Sequence, residues 1–189
     1  MPFLSYSIDF QGVGDIFMRD PVRYLPFVQL LDNVMSKESE LSKAQKEMIA
    51  LYSSHLNGCH YCVDSHSCVL TSLKTDEDFV RSLANGSTGA MDDKLRAVFK
   101  FANKLTLEPG NISDTDIGAM RSAGWSDQTI EDTICVISTF AFLNRLADGF
   151  GLVGSGDHFQ QVGGMVAQQG YQPLVKMIQQ KASDTLTKA

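Results

Sequence analysis

A chain of 189 residues can bury one good core and is too short for two ordinary domains. Its 43% hydrophobic and 20% charged residues describe a soluble globular protein and exclude a disordered one. A net charge of −6 with no Lys/Arg cluster argues against nucleic-acid and anionic-membrane partners, though not against small uncharged substrates.

The opening MPFLSYSIDFQG has no basic segment ahead of an apolar run, so no signal peptide is expected. Nowhere do about 18 apolar residues run together, so no transmembrane helix is expected either. Four cysteines without a secretion signal suggest a reducing compartment, with the cytoplasm as default. Residues 1–19 show no period and read as an arm. Asp20 before Pro21 is an N-cap with proline at the first helical position. Phe27, Leu30, Leu31 and Val34 continue that helix, with a kink or restart expected at Pro26.

Ser42 and Gln45 form a capping-box pair. In the helix they open, Ala44, Met48, Leu51, Tyr52 and His55 share a stripe, with Glu47 at its margin and His55 as a packed side chain. Asn57-Gly58 is the stop. The next helix is expected to begin near Cys59, with Cys62, His66, Val69, Leu70 and Leu73 on one buried or cleft-lining face. A short helix after Asp76, the loop NGSTG, and a stripe through Leu95, Val98, Phe99, Ala102 and Leu105 follow, closed by Pro109-Gly110. Ser113 and Ser126 are N-caps flanked by hydrophobic staples, which makes Trp125 a staple rather than a substrate platform. Residues 127–147 form the most apolar helix, central or sandwiched at a subunit contact. Two weakly amphipathic helices around 157–168 and 171–182 end the chain, as an oligomer contact or a lid. No segment alternates long enough for a strand, so the class is all-α.

Chemistry concentrates between Glu47 and His66. A thiol attacks poorly until it loses its proton. Two features promote that loss here: the unpaired N–H groups of a helix start, and a histidine four residues beyond Cys62 on the same face. The helix start favours Cys59 as the attacking sulfur, and the histidine favours Cys62. Only Cys62 has a specific base, so it is read as the nucleophile and Cys59 as the resolving thiol. Glu47 is placed to orient His66 or relay its proton.

Other readings of the same residues are weaker. A zinc site would need Cys59, Cys62, His66 and Cys68 to converge, but on a helix Cys68 points roughly 200° from His66. A thioredoxin-like reading needs a strand before the CxxC, where this chain has a helix. Cys68 and Cys135 read as small buried apolar residues. Arg145 and Asp148 read as an ion pair near a helix end, with a catalytic or subunit-bridging role for Asn144 or Arg145 as the alternative. His158 carries no signal.

Glu47, eleven residues, Cys59-x-x-Cys62, three residues and His66 together resemble the AhpD-like alkylhydroperoxidases of the carboxymuconolactone decarboxylase-like superfamily. The resemblance runs from about Asp20 to Gly151 and takes in AGWSD and NRLADGFG. It implies an all-helical AhpD-like bundle in a single domain, assembled as a trimer or hexamer. The division would be an arm at 1–19, the AhpD-like domain at 20–151 and a helical extension at 152–189. The resemblance also implies reduction of hydroperoxides through a sulfenic acid on Cys62, with Cys59 resolving and Glu47 and His66 moving protons. An external dithiol, of lipoyl or thioredoxin type, would restore the pair, and no cofactor or metal is called for. One departure stands out: the best-known AhpD proteins carry histidine just before the second cysteine, whereas this chain has Tyr61 there and a histidine one place earlier, at His60. The superfamily's decarboxylases lack the cysteine pair. A non-catalytic redox switch, an interaction protein, or a binder of a hydrophobic small molecule are the alternatives on the same fold.

Overall fold

Helices account for nearly all of the secondary structure, and no strand occurs among the described residues. The computed structural model describes residues 3–89 and 91–187; the outer ends of the expected arm and extension, 1–2 and 188–189, lie outside them. In chain order the helices are α1 (Val13–Arg19), α2 (Pro21–Ser36), α3 (Lys43–Leu56), α4 (His60–Ser72) and α5 (Glu77–Ala84). They continue with α6 (Asp93–Leu107), α7 (Asp114–Ser122), α8 (Asp127–Phe150), α9 (Gly156–Gln169) and α10 (Gln172–Leu186). The all-α reading holds.

Local signals set most helix ends. The Asp20 carboxylate accepts from Arg23 N, with Pro21 as the first helical residue. Ser42 and Gln45 close a reciprocal capping box. Ser126 accepts from Thr129 N, and Ser113 caps α7 with Asp116. Two expectations fail here. Helix α2 continues through Pro26 without restarting there. The carbonyl that Pro26 leaves unpaired belongs to Val22, which is exposed, so solvent can take the lost bond. Arg145 does not pair with Asp148: its Nη1 donates to the Ala141 carbonyl at 2.6 Å, one turn back on the same exposed face.

The arm also differs from its periodless look. Its seven-residue α1 is too short to display a period, yet it buries Ile16 and Phe17, and the Phe17 ring packs against Tyr24 and Phe27. Helix α3 is the hub, in contact with α4, α5, α6 and α8. Two of its lysines tie down other helices. Lys46 Nζ is buried and donates to the carbonyls of Val34 and Lys37 at the end of α2, at 3.0 and 2.7 Å. Lys43 Nζ does the same for Val166 and Ala167 near the end of α9. Each ammonium sits where a helix presents unpaired carbonyls and a partial negative charge.

The C-terminal helices fold back over their own chain, α9 along α4 and α10 along α2. Close approach of α9 depends on Gly163, where a Cβ would stand 2.8 Å from the Cys68 backbone. Gly170, with φ of 67°, makes the reversal into α10 and delivers Tyr171 to the interior. A Gln172–Asp32 hydrogen bond fastens the start of α10 to α2.

Candidate active site

Helix α3 ends at Asn57–Gly58, and Cys59 becomes the N-cap of α4. That places Cys62 in the first turn, among N–H groups without intrahelical partners. Cys59 is fully buried and Cys62 is 5% exposed. Their sulfurs lie 2.7 Å apart, and neither is disulfide-bonded. The Cys59 thiol donates toward Cys62. That hydrogen bond, and then burial, raise the Cys59 thiol far above the ordinary cysteine range. Cys59 thus holds its proton while the two sulfurs are in contact.

One turn of helix puts His66 on the face of α4 that carries Cys62. His66 Nδ1 lies 2.7 Å from Glu47 Oε2. Both side chains are buried, Glu47 completely. A carboxylate in such surroundings costs several kcal/mol unless its oxygens receive hydrogen bonds. It has two: Nδ1–H of His66 on one oxygen, and the Tyr171 hydroxyl at 3.1 Å on the other. With Nδ1 engaged, Nε2 is the ring nitrogen left to exchange a proton. The Phe140 ring stands edge-on to the imidazole, 4.4 Å between centroids, and limits its tilt.

Cys62, His66, Phe140 and Tyr171 line a cavity of about 470 Å³, with Glu47 and Cys59 set behind its wall. Cys62, Ser65 and His66 line it from α4; Cys59 lies behind Cys62 and does not reach it. The remaining walls come from α1, α2, α8, α9 and α10 and are largely apolar, with Met18, Met165 and Met177 among them. A space of this size and character suits an organic molecule of moderate bulk.

Of the residues singled out in the sequence, Glu47, Cys59, Cys62 and His66 come together. His60 is exposed and His55 is half-buried near Gly86, away from the cavity. Cys68 and Cys135 are half-buried, and burial raises both thiols. Asn144 is a buried structural pin, joined to Ser54 Oγ and Asn57 Nδ2. Trp125 packs far from the cavity, its Nε1 donating to the Lys94 carbonyl. Among the described residues, no group of three or more His, Cys, Asp or Glu side chains is arranged to hold a metal ion.

Two cavity residues, Tyr171 and His158, gave no signal in the sequence, and a third, Tyr61, showed only as a departure from a resemblance. Tyr171 reaches Glu47 across 124 positions, from a tail whose pattern is weak. Tyr61, which replaces the histidine of the best-known AhpD proteins, lines the cavity; its hydroxyl accepts from Val13 N and its ring packs on Phe159. Burial raises its phenol above the usual range. His158 lines the cavity too, its ring close to Gly12 beside the Tyr61 hydroxyl. Only the full tertiary fold brings Tyr171 and His158 to the cavity, whereas Tyr61 adjoins Cys62 on α4.

Residues 24–104 match the carboxymuconolactone decarboxylase family. No curated protein matches the chain. Among solved structures, an uncharacterized peroxidase-related protein from Silicibacter sp. TM1040 is 28% identical, with a TM-score of 0.74 over 79% of each chain. The AhpD core of an uncharacterized peroxidase-related protein from Ralstonia eutropha JMP134 is 26% identical, with a TM-score of 0.72 over 79% of this chain and 78% of that one. A debrominase shares the fold at 16% identity and a TM-score of 0.67, over 94% of this chain and 96% of its own.

Proposed function

Because the chain is an AhpD-like member of the carboxymuconolactone decarboxylase superfamily, with peroxidase-related structural relatives, we propose that it is a thiol-dependent peroxidase acting on organic hydroperoxides. The observation that carries this reading is one arrangement. A pair of sulfurs 2.7 Å apart and a buried carboxylate–imidazole link meet at the wall of an apolar cavity.

In the proposed cycle Nε2 of His66 takes the Cys62 proton, and Glu47 holds Nδ1–H and offsets the imidazolium charge. The Cys62 thiolate attacks the outer peroxide oxygen; an S–O bond forms, the O–O bond breaks, and the alkoxide leaves as an alcohol with the proton from His66. Cys62 is then a sulfenic acid. The Cys59 sulfur attacks it, forming the disulfide, while the Cys59 proton and the sulfenic hydroxyl depart as water. An external dithiol of lipoyl or thioredoxin type is oxidised to its disulfide and returns both thiols. With Cys59 sealed, that reductant meets Cys62 first, through the cavity. A homo-oligomer, trimer or hexamer, belongs to the same proposal.

The test adds cumene hydroperoxide to reduced protein and counts thiols. Two are expected to vanish per peroxide consumed. Cys62→Ser should abolish consumption, and Cys59→Ser should stop at a trappable sulfenic acid after one turnover. Wild-type protein that keeps its thiols would defeat the proposal. Without turnover in the presence of dithiol, a single oxidation of the pair would favour a redox switch instead.

A further inference from the structure

Glu47 serves His66 with one oxygen, but a carboxylate is free to rotate about its Cγ–Cδ bond and offer either edge. In this fold the other oxygen is taken by the hydroxyl of Tyr171. The two bonds together fix the carboxylate plane. They also come from separate elements: His66 from α4, Tyr171 from the turn between α9 and α10.

We infer that Tyr171 is a positioning residue of the proton relay, which pins one oxygen of Glu47 so that the other stays aligned with Nδ1 of His66. The inference rests on the proposed function for its kinetic consequences, though not for its geometry. Desolvation first, and then the Glu47 charge, raise this phenol well above the ordinary tyrosine range, so it remains a donor wherever the enzyme would work. A donor on Oε1 spreads the carboxylate charge between two partners. Take it away, and more of that charge falls on His66, which then holds its proton more tightly.

The groups that face the relay are few. Cys59 and Cys62 come from the start of α4, and Tyr171 from α10. Asp15 on α1, Tyr61 on α4 and His158 on α9 also line the cavity. Helix α8 presents the Phe140 ring and, beside Cys59, the Asp148 carboxyl, while Lys46 on α3 is turned toward the end of α2.

The experiment compares wild type, Tyr171→Phe, Glu47→Gln and the double variant for reduction of cumene hydroperoxide between pH 5 and 9. Losing one hydroxyl leaves the packing of the ring, so circular dichroism should match wild type, while the melting temperature should fall by the loss of one hydrogen bond to a buried carboxylate. Y171F is expected to lower kcat about 10-fold, with KM changed less than about 3-fold. The acid limb of its pH profile should move to higher pH. In the Glu47→Gln background the same change should do little more, because the oxygen it served has lost its charge. Leu174→Ala, on the cavity wall of α10 without a bond to Glu47, should show the opposite split: a raised KM and an unmoved profile.

An unchanged profile and kcat in Y171F, or equal effects in both backgrounds, would overturn the inference. Should the wild type reduce no peroxide, the proposed function fails, and the ring-nitrogen resonances of His66 decide this point instead. A titration displaced upward in Y171F would sustain the inference; one that coincides with wild type would end it.

Discussion

Glu47 and His66 are a buried ionisable pair, and such a pair contributes little net stability against a well-packed apolar replacement. Their presence makes sense as chemistry. The spacing of Glu47, Cys59, Cys62 and His66 was legible because each lies on one of two adjacent helices, where periodicity fixes the facing side. Tyr171 was not legible, since no local pattern says where a side chain 124 residues away will dock. The tyrosines also set an alkaline limit. An unfolded tyrosine ionises near pH 10, whereas burial keeps folded Tyr61 and Tyr171 protonated beyond that. Above about pH 10 the unfolded chain therefore binds fewer protons than the folded one. Stability should be complete below that pH and fall as pH rises, by up to about 1.4 kcal/mol per pH unit for each residue. Urea midpoints between pH 8 and 11 would measure it, and Tyr61→Phe or Tyr171→Phe should flatten the decline.

Among the elements, α4 and α9 matter most, because their contact forms two walls of the cavity. Gly163 lets them approach, and a methyl group there would meet the Cys68 backbone. Gly163→Ala should cost about 1–3 kcal/mol, since backbone cannot give way as a flexible side chain can. Thermal or urea unfolding against wild type would show it, with a larger cavity and weaker retention of hydrophobic dyes as the structural counterpart. An unaltered midpoint would mean that the helices separate at no cost. Caps such as Asp20, Ser42 and Ser126 could be read directly, because they act over three residues. Pro26 and Arg145 misled for the same reason: a local rule assigned a restart and an ion pair, whereas exposure to solvent and a carbonyl one turn back decided otherwise.

At the scale of the molecule, the all-α class followed from the lack of any period-two segment, while the path of the last two helices did not follow from anything in their weak patterns. Val22, Leu30 and Phe142 remain exposed on α2 and α8, and Leu30 shares its face with Phe27, whose ring packs on Phe142. Self-association through apolar surface of this kind is expected, and analytical ultracentrifugation should find three or six times the chain mass. A species of single-chain mass at micromolar concentration would speak against that assembly.

The bond between Glu47 and Tyr171 also orders events in time. On the ribosome, the carboxylate is made early and waits for most of the chain to emerge before its phenol exists. Long-range closures of this kind tend to be slow and to come late. An activity assay on newly made protein would therefore report the final stage of its maturation, and a chaperone-dependent delay would show first as lag in turnover, with helix content already complete.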